Sequence, residues 1–334
     1  MLAALIEEYV ARALPVGSRT LTERYHLGVS SATVRNELSV LEDGGYIAQP
    51  HTSAGRIPTD QGYRAFVDNL LATGLPADGD DEESGRYRAV TDELRRSASE
   101  LDAMLEQTSS ALTRLTDCLS IVLAPSVLNL HIKQLSLVSL TPLRALVVLV
   151  TEDGQVFNRQ MEFAEDVSAD ELARVQRFLG GVFAGKSLHE MEEGLGQGMT
   201  EAFRDPLVRM VIDEVLSCLQ ESEQSRAHRL GMSSLLAQPE FSHAQALLPV
   251  MQVLEDDTVL LHILDDTAKQ GTGVPCVTIG SENADEALSG VSVVASRYGR
   301  GDAAGVVAVV GPTRMNYSKV IQAVRAASAA LGDV

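Results

Sequence analysis

Residues 30–45 read SSATVRNELSVLEDGG and decide the fold of the N-terminal part of the chain. Val34, Leu38 and Leu41 recur at i, i+4 and i+7, the spacing that places apolar side chains on one face of a helix. Either of the two leading serines can cap the first turn, and the closing glycine pair ends the helix. The stretch therefore predicts a short amphipathic helix with one buried face.

The opposite face of this helix is polar. Once the apolar face is buried, Thr33, Asn36 and Val40 point away from the core, with Arg35 and Ser39 beside them. Arginine and asparagine carry the paired donors and acceptors that match the edges of guanine and adenine in the major groove. We therefore interpret the segment as a DNA recognition helix.

Residues 46–59, YIAQPHTSAGRIPT, follow directly and predict a two-stranded ribbon. Two short apolar segments bracket a polar tip that contains a proline, a pattern typical of a hairpin. The candidate DNA contacts on this ribbon are His51, Thr52, Ser53 and Arg56. A helix-turn-helix followed by such a ribbon is a winged helix, and isolated polar residues on a solvated surface are the alternative interpretation.

Three further helices complete this N-terminal region. Apolar spacing at residues 5–10 predicts the first helix, and residues 20–23, TLTE, have the form of a capping box that opens the second. Thr59 precedes a fourth helix that carries Tyr63, Phe66 and other apolar residues.

The net charge of the whole chain argues against nucleic-acid binding, but the charge of the N-terminal region argues against it less strongly. The formal net charge is −19, whereas residues 1–72 hold six arginines and eight acidic residues, a net of −2. Residues 24–36 and 44–59 contain no acidic residue at all. Since phosphate contacts need cations, these two windows are the ones that can face DNA.

Beyond this region the pattern predicts a linker and a mixed body. Residues 74–85 are rich in Gly, Asp and Glu and predict a hydrated linker. A heptad pattern from Leu94 to Val122 predicts one long helix, either a dimer coiled coil or, as we favour, a helix lying on its own domain. Further helices are predicted at 170–183, 206–220, 245–255 and about 315–331, and strands at 134–140, 144–151, 156–163, 258–264, 275–279, 291–297 and 305–310. Strands on both sides of a helical middle suggest an α+β domain with a helical insertion.

No pattern of catalytic or metal-binding residues is evident, so we expect neither an enzyme, nor a metal, nor a cofactor. The three cysteines are far apart, and the seven histidines lack ligand spacing. Residues 194–198, GLGQG, lack the spacing of a nucleotide loop and are interpreted as an ordinary loop. Residues 311–314, GPTR, open the last helix, where Thr313 is a plain cap or the backbone N–H groups bind an anion. The absence of a secretory signal and of a long apolar span predicts a cytoplasmic protein outside the membrane.

Five segments closely resemble the HrcA family of heat-inducible repressors. They are residues 15–21 (PVGSRTL), 29–37 (VSSATVRNE), 49–60 (QPHTSAGRIPTD), 279–283 (IGSEN) and 311–317 (GPTRMNY). These segments lie near both ends of the chain and follow the order that they have in the family. The resemblance therefore covers essentially the whole chain, although residues 165–250 match the family only in general character. Because members of the family usually begin with a longer first helix, we expect the present start to be shortened.

The resemblance implies an α+β multidomain fold. It places a winged-helix DNA-binding domain at residues 1–73, a linker at 74–86, a GAF-like α/β domain at 87–164 and 251–334, and an inserted helix-rich dimerisation domain at 165–250. It also implies Ser31, Thr33, Arg35 and Asn36 as major-groove contacts and His51, Thr52, Ser53 and Arg56 as wing contacts.

The function that the resemblance implies is repression of heat-shock chaperone operons. Members of the family bind the CIRCE inverted repeat in double-stranded DNA as homodimers, and the GroE chaperonin modulates their activity. A two-fold dimer that presents two recognition helices matches an inverted repeat. The alternatives are a ligand-responsive regulator with an effector in the GAF-like domain, an enzyme with an appended DNA-binding domain, and a chaperonin-binding adaptor without specific DNA binding.

Overall fold

The computed structural model describes residues 1–51, 54–73, 101–126, 130–152, 154–187, 190–191, 205–224, 226–255, 263–264, 271–299 and 304–332. The chain divides into two compact units. The first unit comprises Met1–Ala124, Ala227–Gly299 and Gly305–Val334, and the second comprises Pro125–Arg226 and Arg300–Ala304. Within the first unit we call residues 1–73 the head and the remainder the body.

The head follows the predicted order of three helices, a ribbon and a fourth helix. Its elements are α1 (Leu2–Arg12), α2 (Ser18–Arg24), α3 (Ser31–Asp43), β1 (Ile47–Ala48), β2 (Ile57–Pro58) and α4 (Asp60–Thr73). Strands β1 and β2 pair antiparallel, and Val16, ahead of α2, forms a bridge with Arg56. The predicted ribbon is thereby confirmed, while its tip residues Thr52 and Ser53 lie outside the described residues.

Helix α3 forms as its sequence predicts. Ser30 is its N-cap, and its hydroxyl accepts a hydrogen bond from the backbone N–H of Thr33 at 3.2 Å. Val34 and Leu38 are buried and Leu41 is partly buried. They pack in a small core whose other buried members are Ala4, Leu5, Val16, Leu21 and Ile47.

We expect Ser30→Ala to destabilise α3 by about 1 kcal/mol, because the Thr33 N–H loses its side-chain acceptor. Amide hydrogen exchange of α3 in the full-length chain measures the effect. The control is Ser39→Ala, which lies exposed inside the same helix and leaves the cap intact. Equal changes in the two variants would show that the Ser30 hydroxyl contributes nothing as a cap.

The predicted capping box at residues 20–23 is wrong. Helix α2 begins at Ser18 with Gly17 as its N-cap, so Thr20 lies inside the helix. The Glu23 carboxylate accepts a hydrogen bond from Arg19 at 2.7 Å instead of reaching back to a cap. The helix starts early because backbone pairing of Val16 with Arg56 ends the extended segment immediately before it.

The body is built on a five-stranded antiparallel sheet. Its elements are α5 (Leu101–Thr116), β3 (Leu119–Leu123), β7 (Ala227–Leu230), α8 (Met232–Leu236), α9 (Ala244–Glu255), β8 (Cys276–Ile279), β9 (Val291–Tyr298), β10 (Gly305–Pro312) and α10 (Tyr317–Gly332). The strand order in the sheet is β7-β3-β10-β9-β8. Helices α5 and α10 cover one face of the sheet, and α8 and α9 contribute to the core on the other face. The predicted strand at 258–264 falls almost entirely outside the described residues.

The single long helix predicted from Leu94 to Val122 is wrong at its C-terminal end. Helix α5 ends at Thr116, Asp117 adopts a left-handed backbone conformation with φ of 53°, and Leu119–Leu123 is a strand between β7 and β10. All five residues of this strand are buried. The spacing of apolar residues cannot distinguish a short, fully buried strand from a helix. The heptad pattern therefore continues across Leu119–Leu123 although these residues form a strand. Residues 94–100 lie outside the described residues.

The second unit has its own three-stranded sheet. Strands β4 (Ile132–Thr141), β5 (Arg144–Thr151) and β6 (Val156–Glu162) pair antiparallel in that order, and α6 (Ala169–Phe183) and α7 (Pro206–Gln224) share their core. The predicted helices and strands here are confirmed within a few residues. The unit includes Pro125–Arg226, and its three strands pair with one another and not with the sheet of the body. The dimerisation domain expected at 165–250 stays a prediction.

No helix among the described residues is long and apolar enough to cross a membrane.

Candidate nucleic-acid interface

The N-terminal half of α3 presents a solvent-exposed polar surface. Thr33, Arg35 and Asn36 are exposed, as their positions opposite the buried face predict. The Thr33 hydroxyl lies 3.0 Å from that of Ser30, and the half-buried Ser31 hydroxyl lies 3.1 Å from that of Ser18 on α2. The helix cap and the neighbouring helix therefore fix this end of α3, while the arginine and asparagine side chains project into solvent.

Arg35 differs from the other arginines of the head. Among the described residues, every other head arginine has a carboxylate partner, namely Arg12 and Arg24 with Glu8, Arg19 with Glu23, Arg56 with Glu42, and Arg64 with Asp68 and Glu282. Arg35 forms no ion pair with any residue that the structure describes. Its guanidinium keeps all five N–H donors available to an external acceptor.

Arg56 of the candidate interface already has partners within the head. The Arg56 guanidinium donates to Glu42 at the end of α3 through Nε at 2.9 Å, and its Nη2 lies 2.8 Å from the same oxygen. Its backbone also pairs with Val16, so the residue connects the ribbon, α3 and the segment before α2. His51 is exposed beside the ribbon tip. The structure thus presents Arg35 and Asn36 together, and engages Arg56 internally.

The sequence pattern does not reveal which acidic residues pair with these arginines. Glu8 is buried on α1, and its carboxylate oxygens lie 3.2 Å from Arg12 and 3.2 Å from Arg24. The i, i+4 spacing of Glu8 and Arg12 is visible in the sequence, whereas the contact with Arg24 is made by tertiary packing. Arg24, which lies in an acid-free window, is therefore paired and less available to phosphate than that window implied.

The segment before the last helix is engaged within the first unit. Helix α10 begins at Tyr317 and is capped by Asn316, whose side-chain oxygen accepts from the Lys319 N–H at 3.1 Å. The expected cap at Thr313 is therefore wrong, and its carbonyl instead accepts from the Tyr317 hydroxyl at 2.7 Å. Arg314 binds Glu240 and the backbone of α1.

Metal-ligating side chains do not cluster in the described part of the chain. No group of three His, Cys, Asp or Glu residues in the described part of the chain could hold a metal ion. Burial raises the pKa of the Cys118 thiol to about 11, so this cysteine is protonated and unreactive at neutral pH.

Comparisons with known proteins cover the full length of the chain. A family model described as the HrcA protein C terminal domain matches residues 102–321. The heat-inducible transcription repressor HrcA of Streptomyces avermitilis is 39% identical over an alignment that covers 100% of this chain and 96% of that protein. Repressors of the same name from Rhodococcus jostii and Desulforudis audaxviator are 37% and 34% identical, covering 100% and 96% of this chain and 96% and 92% of their own lengths.

A solved crystal structure of a protein described only as hypothetical shares the fold. It superposes with a TM-score of 0.68 at 22% identity and covers 99% of this chain and 95% of its own. The relatives are transcription repressors rather than enzymes. The family model and the full-length identities confirm the resemblance carried by the sequence motifs, and the chain belongs to the HrcA family.

Proposed function

We propose that this chain is a sequence-specific DNA-binding repressor of heat-shock chaperone operons, and that its head is a winged helix. The observation that carries the proposal is the exposed N-terminal half of α3, where Arg35 and Asn36 lie side by side and Arg35 has no ion pair among the described residues. Arginine donates to guanine O6 and N7, and asparagine pairs with adenine N6 and N7. The names of the full-length relatives support the same role.

Charge limits the DNA contact to one end of α3. Glu37 and Asp43 are exposed on the same helix, and Asp43 lies at its C-terminal end, where it would repel phosphate. The N-terminal end carries the positive end of the helix dipole and two serine hydroxyls. The first turns of α3 are therefore the part proposed to enter the major groove, and His51, Thr52 and Ser53 are the proposed wing contacts. Arg56 stabilises the wing against α3 through Glu42.

The proposed target is the CIRCE inverted repeat, bound by a homodimer. Each protomer supplies one head, so a two-fold dimer presents two recognition helices to two inverted half-sites. The body is proposed as the GAF-like domain and the second unit as the inserted dimerisation domain. The GroE chaperonin is the proposed regulator that keeps the repressor competent to bind, and heat stress releases the operator.

Transcription from a promoter that carries a CIRCE-type repeat tests this function. Purified full-length protein is expected to lower the amount of transcript, and to lower it further when GroE is present. Transcription is expected to recover when an unfolded client protein occupies the chaperonin. The control template carries the same promoter with a scrambled repeat and is expected to be unaffected. Equal transcription from both templates at saturating protein would refute the repressor assignment, and indifference to GroE would refute the regulatory part alone.

A further inference from the structure

Two C-terminal segments singled out in the sequence, residues 279–283 and 311–317, are not used by the proposed DNA interface. Both lie in the body, and both contact the head within the first compact unit. Each contact consists of short, directed hydrogen bonds. We call these contacts together the head–body contact, formed by Asp60, Arg64 and the Val10 carbonyl on the head and by Gly280, Ser281, Glu282 and Arg314 on the body.

The 3-10 turn Gly280–Glu282 binds the first turns of α4. The Asp60 carboxylate accepts hydrogen bonds from the Ser281 backbone N–H and hydroxyl, both at 3.0 Å. One turn later, Arg64 donates through Nε to Glu282 at 2.7 Å and through Nη2 to the Val277 carbonyl at 2.6 Å. The turn is therefore held by both an acidic and a basic residue of the same helix face.

Gly280 is required for the close approach of Asp60. Its backbone φ is +52°, and a Cβ atom at this position would lie 2.3 Å from Asp60 Oδ2. Such a distance is far inside van der Waals contact, so a larger residue would push the carboxylate of the head away. The contact between the turn and Asp60 thus depends on glycine at position 280.

A second link joins the body to the last turn of α1. The Arg314 side chain is 13% exposed and donates through Nη1 to the Val10 carbonyl at 2.7 Å. Its Nε donates to Glu240 at 2.7 Å, which fixes the guanidinium from the body side. Helices α1 and α4 are therefore each tied to the body by an arginine that spans the boundary.

Apolar packing supports these polar links. Ile6 and Val67 of the head are buried in the same core cluster as α10, and the Tyr63 and Tyr317 rings lie 5.6 Å apart at a tilt of 51°. Buried packing supplies most of the binding energy of such a contact, while directed hydrogen bonds select one orientation. The head is consequently held in one defined pose on the body.

We propose that Gly280, Ser281, Glu282 and Arg314 are positioning residues for DNA binding, which fix the pose of each head and thereby set the spacing between half-sites that the dimer accepts. This inference rests on the proposed function. When two binding modules are held rigidly, their effective concentration is high for one matching spacing and low for others, and a loose connection removes that preference. The head–body contact therefore acts on spacing and not on recognition of a single half-site.

Two variants with matched controls test the proposal in the full-length protein. Gly280→Ala places a methyl group against Asp60 without changing charge, and its control is Gly273→Ala, which has φ of +77° and no atom within 4 Å of the added Cβ. Glu282→Gln removes the charge facing Arg64 but keeps an oxygen for the Ile279 N–H, and its control is Glu162→Gln in the exposed pair with Arg144.

Binding is measured to a CIRCE-type repeat, to the same repeat with about 5 bp (half a helical turn) added to its spacer, and to one half-site.

We expect the wild type and both controls to prefer the original spacing by about 30-fold or more, and Gly280→Ala and Glu282→Gln to reduce the preference to about threefold or less. Affinity for the single half-site is expected to stay within about twofold. An unchanged spacing preference in both variants would overturn the inference, and so would a parallel loss at the single half-site, which would mean that the head itself is damaged.

Amide hydrogen exchange separates this inference from the proposed function. Exchange in α4 is expected to accelerate about tenfold in Gly280→Ala but not in Gly273→Ala, whether or not DNA is bound. No acceleration would overturn the head–body contact. A wild type that does not distinguish the repeat from scrambled duplex would refute the proposed function, and the exchange result would still decide whether the contact holds the head.

Discussion

Replacing Arg35 by alanine is expected to weaken binding to a CIRCE-type repeat by about 5- to 150-fold, which corresponds to about 1–3 kcal/mol, and to leave affinity for scrambled duplex within about twofold. The reason is that Arg35 is exposed on α3 and forms no ion pair with the described residues, so its guanidinium can donate to a base edge without first breaking an internal contact. Equilibrium binding to both duplexes at one stated salt concentration measures the effect.

The control for this variant is Arg19→Ala. Arg19 is also an exposed head arginine, but it lies on α2 and pairs with Glu23, so its loss is expected to change neither affinity by more than about twofold. If Arg35→Ala weakened binding to both duplexes equally, Arg35 would contact phosphate and not a base. If it weakened neither, α3 would not be the recognition element.

Replacing Tyr317 by alanine is expected to cost about 3–5 kcal/mol of stability in the first unit, the range seen when a buried aromatic side chain is truncated to alanine. Tyr317 is 1% exposed and lies in the core cluster that joins α10 to the head. Its hydroxyl makes hydrogen bonds with the Ser292 hydroxyl and the Thr313 carbonyl, both at 2.7 Å. Urea unfolding of the full-length protein measures the loss in the free energy of unfolding. Amide hydrogen exchange in α10 and α4 shows that the loss lies in the first unit.

Tyr317→Phe separates packing from hydrogen bonding. It keeps the ring beside Tyr63 but leaves the Ser292 hydroxyl without this partner, so we expect a smaller loss of about 1–3 kcal/mol. Because burial raises the pKa of the Tyr317 phenol, the side chain stays neutral at ordinary pH, and its contribution should not depend on pH there. Equal losses in the two variants would show that packing of the ring contributes little.

The parts of the fold that the sequence predicts well are those with strong local signals. Helix α3 has a cap, a clear apolar face and a glycine stop, and the ribbon after it has two apolar segments around a polar tip. Strand β5 matches its predicted bounds because alternation over 144–151 gives one buried and one more exposed face. In each case the residues that determine the element lie within the element itself.

The errors arise where distant parts of the chain determine the outcome. Leu119–Leu123 becomes a strand because β7 and β10 flank it, and neither neighbour is close in sequence. The start of α2 depends on the pairing of Val16 with Arg56, two residues that are far apart in the sequence. Helical spacing and cap motifs contain no information about these long-range pairings.

The same distinction applies to the candidate interface. The sequence places Arg35 and Asn36 on the free face of α3, because that face follows from helical geometry alone. It does not reveal that Glu42 binds Arg56 or that Glu8 binds Arg24, because both contacts join residues that are neighbours only after folding. Counting cations in a window therefore overestimates the number that are available to phosphate.

Sequence-specific DNA binding is tested most directly by equilibrium binding of the full-length protein to a labelled CIRCE-type inverted repeat and to a scrambled duplex of equal length, at one near-physiological salt concentration. If α3 recognises bases, we expect a preference for the repeat of about a thousandfold or more. Equal and weak binding to the two duplexes would contradict it, because phosphate attraction alone, without base recognition by α3, produces that result.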